Sequence, residues 1–162
     1  MKIQAISQLL RTKQWIKNSF IFMPLVFGQK LFEYPFNLKA LYAFFLFSFI
    51  SSSVYLINDI FDIEKDKSHP MKRHRPIASG LVSKKHAWII AFILSSISIF
   101  LSINLEIKLG FVVLFYLILN FIYTIFLKDI VIIDVFCLSV FFLLRIIAGT
   151  VVVIVEFFYL MI

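Results

Sequence analysis

The chain has 162 residues, 62% of them hydrophobic, with a mean hydropathy of +0.99 and a formal net charge of +7. So little polar surface cannot cover a water-soluble globule, which excludes a soluble domain and indicates an integral membrane protein. The positive charge calls for no nucleic-acid partner, because Lys and Arg mark the cytoplasmic loops of membrane proteins.

The chain opens on a short basic amphipathic piece, Lys2 to Lys17, without a small-residue cleavage site, and does not read as a cleaved signal peptide. A weak apolar span follows from about Ile16 to Phe32, interrupted by Lys17, Pro24 and Lys30. Three uncharged runs of roughly nineteen residues come next, each long enough to cross a hydrocarbon core of about 30 Å. They are Ala40–Asn58, Ala87–Leu105 and Leu109–Leu127. A fifth span runs from about Ile130 to Val155 and carries Asp134 near its start and Arg145 near its middle. Beyond Glu156, Phe157–Ile162 begins another apolar stretch too short to span. The expected fold is all-α: a multi-pass transmembrane helix bundle of about five spans plus a truncated sixth, forming one domain over residues 1–162. Cys137, the single cysteine, lies in an apolar run and reads as buried packing.

Basic residues set the expected orientation. Lys2, Arg11, Lys13 and Lys17 precede the first span, and seven more lie between Lys65 and Lys85. The opposite loops hold Lys30, Lys39 and Lys108, partly offset by Glu33 and Glu106. The N-terminus and the 58–85 loop are therefore expected on the cytoplasmic face of the cell membrane.

Chemistry concentrates at the end of the second span. If that helix continues past the membrane edge, Asn58, Asp62 and Asp66 stack at i, i+4 and i+8, with Asp59 beside them and Glu64 on the far side. Three crowded carboxylates repel, a cost that a divalent cation removes. Hard oxygen ligands suit Mg²⁺ together with substrate phosphate, and no Cys–His spacing favours zinc. A solvated helix end with ordinary surface charge is the competing reading. The loop that follows carries His69, Pro70, Lys72, Arg73, His74, Arg75 and Pro76, in which the prolines shape a turn and the cations can hold phosphate. Positive-inside topology alone also accounts for such a loop. Arg145, costly in mid-membrane, should face the bundle interior as a ligand contact or pair structurally, with Asp134 one possible partner. Tyr123, Thr124, Lys128 and Asp129 make a second polar cluster on the same side.

These stretches resemble the UbiA superfamily of intramembrane prenyltransferases. Its first acidic motif, Asn-Asp-x-x-Asp-x-x-x-Asp, is matched by Asn58, Asp59, Asp62 and Asp66. The branch that transfers phosphoribosyl groups to decaprenyl phosphate is more similar still. Its Arg-x-x-Gln-Trp-x-Lys-Asn is matched by Arg11, Gln14, Trp15, Lys17 and Asn18. Its His-Pro-x-Lys-Arg-x-Arg-Pro-Ile-Ala-x-Gly is matched by His69, Pro70, Lys72, Arg73, Arg75, Pro76, Ile77, Ala78 and Gly80. Tyr123, Thr124, Leu127 and Lys128 match a third stretch, and Leu144, Arg145, Ile147, Ala148 and Gly149 a fourth.

The resemblance implies a Mg²⁺-dependent transfer from phosphoribosyl pyrophosphate to a polyprenyl phosphate at the cytoplasmic face. Asp59, Asp62 and Asp66 would hold the metal and serve catalysis. Asn58, Lys17, Lys72, Arg73, Arg75, Tyr123, Lys128 and Arg145 would bind substrate. The family bundle has about nine helices and a second polar motif, and the chain stops before that half. It is therefore expected to be inactive alone, or completed by a second chain or a homo-oligomer in the bilayer. The other readings are a UbiA-type aromatic prenyltransferase using a prenyl diphosphate and a non-catalytic membrane fragment or scaffold.

Overall fold

The computed structural model describes residues 3–153, so the stretch 157–162 and the last two residues of the expected fifth span lie outside the described residues. The elements are all helical. Helix α1 covers Ile3–Leu9, a 3-10 segment covers Thr12–Phe22, and α2 covers Met23–Phe27. Helix α3 runs Phe36–Phe61, α4 Ile63–Ser68, α5 Lys84–Leu105 and α6 Ile107–Ile122. A π-helical turn, Tyr123–Leu127, extends α6, and α7 runs Val131–Val153. Four helical stretches are long and apolar enough to cross a membrane: Phe36–Phe61, Lys84–Leu105, Ile107–Leu127 and Val131–Val153. The protein is a multi-pass membrane helix bundle.

The expected first span differs from the others in its winding. It is not one long α-helix but the 3-10 segment followed by α2. At about 2 Å per 3-10 residue, Thr12–Phe22 reaches about 22 Å and α2 adds about 7 Å. Its contacts show the consequence. Arg11 pairs with Asp59, Trp15 Nε1 donates to Ser52 Oγ at 3.0 Å, and Asn18 Nδ2 donates to Ser48 Oγ at 3.0 Å. Phe22 stacks on Phe44 with ring centroids 5.4 Å apart, and Lys30 Nζ lies 4.2 Å from the centroid of Phe36. The segment thus runs antiparallel to α3 along its whole length, carrying Arg11 to the acidic end.

Helix α3 is the hub, packed against the 3-10 segment, α5, α6 and α7. Its small residues allow this. Ser53 Oγ bonds Ser95 Oγ at 2.6 Å and donates to the Ala91 carbonyl at 2.9 Å. Ser98 Oγ on α5 donates to the Leu46 carbonyl at 2.8 Å. Where helices have no hydrophobic advantage over lipid, close backbone approach and hydroxyl bonds hold them together. Gly149 does the same for α7, because a Cβ there would collide with the Ile21 carbonyl.

Helix α5 starts at Ser83, whose Oγ accepts from the His86 amide at 3.3 Å. Glu106 alone, extended at φ −161° and ψ 123°, turns α5 into α6. A Cβ on Gly110 would strike Ile103, so glycine lets this corner close. At the acidic end a second apolar cluster joins Leu56, Ile57, Ile60 and Ile63 to Ile77, Val82 and Ala87. Ile77 and Val82 anchor the basic loop against α3, which fixes where Arg75 can reach.

Candidate anion- and metal-binding site

Asp62 takes φ −93° and ψ 8° and separates α3 from α4, so the single continuous helix expected here is interrupted. The backbone still turns helically through the break: the Asp62 amide bonds the Asn58 carbonyl at 2.9 Å, and the Asp66 amide bonds the Asp62 carbonyl at 2.7 Å. Asp59 and Asp66 lie inward, 5% and 2% exposed, too buried to remain charged without compensation. Arg75 supplies it. Its Nη1 donates to Asp59 Oδ1 at 3.1 Å and to Asp66 Oδ2 at 2.6 Å. Arg11 Nη2 pairs with the same Asp59 oxygen, and its guanidinium lies 4.9 Å from the Tyr55 ring centroid.

Asp62 turns elsewhere. Lys128 Nζ pairs with its Oδ1, and Asn58 Nδ2 donates to its Oδ2 at 3.1 Å. The expected common arc of Asn58, Asp62 and Asp66 is therefore divided: Asp59 and Asp66 share one guanidinium, while Asp62 has its own ammonium. Among the described residues no three acidic, histidine or cysteine side chains gather to hold a metal ion.

Other expected site residues are distributed unevenly. Arg75 and Lys128 are in the cluster. Lys72 and Arg73 are exposed, and among the described residues they make no ion pair with the carboxylates; Arg73 Nε instead donates to His74 Nε2 at 3.3 Å. Tyr123 OH donates to Asp134 Oδ1 at 2.6 Å, so Asp134 serves Tyr123 rather than Arg145. Arg145 is 4% exposed. Its Nε donates to Asn18 Oδ1 at 2.9 Å, Nη1 to the Phe141 carbonyl at 2.5 Å and Nη2 to Tyr116 OH at 3.1 Å.

Arg11, Asn18, Tyr116 and Asn120 join the site without having been singled out as site residues by sequence. Arg11 and Asn18 belonged to a quoted motif. Tyr116, Asn120, Tyr123 and Thr124 form a polar stripe at helical spacing in an otherwise apolar run, a signal that was there to read.

Two cavities meet at Arg11. One, of about 380 Å³, lies between α1 and the basic loop and is lined by Gln8, Arg11, Lys13, Gln14, His74 and Arg75 among others. The other, of about 230 Å³, lies within the bundle below Asn58 and reaches Lys17 and Arg145. At this end of the bundle cations stand over buried carboxylates, with a second cationic recess among the spanning helices.

The UbiA prenyltransferase family matches residues 21–161, and the chain belongs to it. It is 36% identical over 151 residues to a decaprenyl-phosphate phosphoribosyltransferase of Mycolicibacterium smegmatis, covering 91% of this chain and 48% of that protein. It is 37% identical over 144 residues to the protein of the same name in Corynebacterium glutamicum, covering 86% of this chain and 43% of that one. The fold is similar to a solved UbiA homologue from Archaeoglobus fulgidus bound to DMAPP and Mg²⁺, with a TM-score of 0.76 and 19% identity over 93% of this chain and 55% of that chain. The chain spans about half the length of these relatives.

Replacing Arg75 with Gln should remove the shared cation of two buried carboxylates and cost about 1.5–3 kcal/mol, read as a lowered thermal midpoint in detergent. Lys72→Gln, at an exposed side chain, should shift stability by less than about 0.5 kcal/mol. Equal midpoints for Arg75→Gln and the unmodified chain would contradict the ion cluster.

Proposed function

We propose that this chain carries the phosphoribosyl-donor site of a UbiA-family transferase that moves a phosphoribosyl group from phosphoribosyl pyrophosphate to a polyprenyl phosphate. The observation that carries this reading is the buried Asp59–Arg75–Asp66 group beneath an open cationic cavity. The phosphoribosyl donor is preferred to a prenyl diphosphate because the relatives of 36% and 37% identity are phosphoribosyltransferases by name.

The residues fit a divalent cation by donor chemistry. Asp59, Asp62 and Asp66 offer hard carboxylate oxygens, and Arg75 Nη1 already holds positive charge between two of them. Mg²⁺, present in the Archaeoglobus fulgidus homologue, would be held by these three and would neutralise charge building on pyrophosphate. Phosphate oxygens of a substrate are further hard donors of the kind Mg²⁺ commonly uses beside carboxylates. Arg75, drawn from between the carboxylates, would then face the donor's phosphates with Arg11 and Lys13. Asn58 orients Asp62, while Lys72 and Arg73 at the mouth raise the local concentration of anions.

In the transfer, an oxygen of the acceptor phosphate attacks the anomeric carbon. The bond from that carbon to the pyrophosphate oxygen breaks, and pyrophosphate leaves with the electron pair. No general base is required, since the attacking phosphate is already ionised. The acidic end faces the cytoplasm, following its excess of Lys and Arg.

Calorimetric titration of phosphoribosyl pyrophosphate into the folded chain should show binding with Mg²⁺ that Asp62→Asn abolishes. Unchanged affinity in the variant would remove the metal assignment. A cysteine introduced as Ser68→Cys should react with an impermeant thiol reagent only from the cytoplasmic side; labelling from outside alone would reverse the topology.

A further inference from the structure

A further cavity, of about 420 Å³, is a groove between α5 and α6 with Ile57 of α3 in its floor. It shares no lining residue with the two cavities that meet at Arg11. Its α5 wall follows one helical stripe, positions 88, 91, 92, 95, 96 and 99. Small side chains on this stripe give the groove its depth. Ala91 is 1% exposed, and the Ser95 hydroxyl is spent on Ser53 Oγ at 2.6 Å and the Ala91 carbonyl at 2.7 Å. Larger apolar side chains stand at the rims, with Phe92 on α5 72% exposed and Ile118 on α6 48% exposed. The result is an apolar furrow open to the bilayer.

Its length matches one leaflet. From Trp88 to Ile99 helix α5 rises about 16 Å, against about 15 Å for half of a typical hydrocarbon core. On the far side the furrow is shut, because α5 and α6 meet at the Glu106 corner, where a Cβ on Gly110 would strike Ile103. A second spanning helix needs about twice that length of contact, whereas an acyl chain needs this much.

The open end is built for the headgroup level. Phe61, at the end of α3, makes edge contacts with both lips, its ring centroid 6.3 Å from Trp88 and 6.1 Å from Phe121. Tryptophan favours the membrane–water boundary. One turn before Trp88 the stripe continues into Lys84 and Lys85, both exposed. Helical side chains lean toward the N-terminus, so these two long stems carry their ammonium groups outward from the groove's mouth. Among the described residues neither pairs with a carboxylate. The exposed acids at this end have lysines of their own, Glu64 with Lys67 at 3.0 Å and Asp129 with Lys65 at 3.3 Å.

We propose that this groove holds an anionic phospholipid of the bilayer, with one acyl chain along the furrow and its headgroup on Lys84 and Lys85. The lipid is a resident of the fold and not a substrate, so the assignment stands apart from the transferase reading. A zwitterionic headgroup brings its own cation against the two lysines, while an anionic one brings the charge they lack. The bias of Lys and Arg that puts this end at the cytoplasmic face also puts the groove in the leaflet that carries anionic lipids.

The test uses the full chain in vesicles of phosphatidylcholine and phosphatidylglycerol, with bromine on the acyl chains of one lipid at a time. Bromine quenches tryptophan on contact, and the share of Trp88 is the difference from Trp88→Phe. Phosphatidylglycerol should occupy the groove about tenfold more strongly than phosphatidylcholine, the order expected for one to two lysines at an anionic surface. The double variant Lys84→Gln and Lys85→Gln should reduce that preference below about threefold. The double variant Lys72→Gln and Arg73→Gln removes the same charge from the exposed loop and should leave the preference unchanged. An equal loss in both double variants would mean diffuse surface attraction, and equal quenching by the two lipids would mean ordinary bilayer contact. Either result would overturn the site. So would a Trp88 that neither lipid quenches, because protein, such as a second copy of the chain, would then cover the groove.

Discussion

One nitrogen of Arg75 lies between two buried carboxylates, and the acidic end of the bundle is organised around it. Asp59 and Asp66 are too deeply placed to remain ionised unaided, so the loop must deliver a cation to them. Ile77 and Val82 hold that loop on α3 by apolar burial, and Arg75 follows from where they sit. Arg11 brings the start of the 3-10 segment to Asp59, and Lys128 brings the α6–α7 corner to Asp62. Three carboxylates thus meet three cations from three different parts of the chain. The charges close the end of the bundle in the way that hydrophobic burial closes its middle.

The same balance bears on the proposed chemistry. A neutralised acidic cluster is a poor trap for a free divalent ion, because an arriving cation must displace a guanidinium. An ion accompanied by pyrophosphate meets a different cost, since the displaced Arg75 gains the phosphate as its new partner. Deeper in the bundle the sign is reversed, with Arg145 and Lys17 unmatched among the described residues. Positive charge without a partner and negative charge with a displaceable one are complementary needs.

Much of this was legible in the residues. Three long uncharged runs and one apolar run carrying only Asp134 and Arg145 mark the four crossings, and Asn58, Asp59, Asp62 and Asp66 mark the acidic end. The winding of the segment before α3, 3-10 over Thr12–Phe22 and then α-helical over Met23–Phe27, was not legible. Lys17, Pro24 and Lys30 weaken its hydropathy, while its continuity depends on contacts with Ser52, Ser48 and Phe44 far along the sequence. Helical spacing placed Asn58, Asp62 and Asp66 on one arc, but the break at Asp62 and the choice of counter-ion regrouped them. Spacing reports which side chains share a face and says nothing of a cation arriving from another helix. Lys72 and Arg73 looked equivalent to Arg75 for the same reason; the anchoring of Ile77 and Val82 distinguishes them.

In the proposed transfer, metal and donor enter together and displace Arg75 from the carboxylates. Electron paramagnetic resonance with Mn²⁺ in place of Mg²⁺ tests this directly on the folded chain. Little Mn²⁺ should be retained alone, and phosphoribosyl pyrophosphate should convert the free-ion signal to a bound one. Mn²⁺ bound equally well with and without the donor, or not retained even with it, would contradict the account.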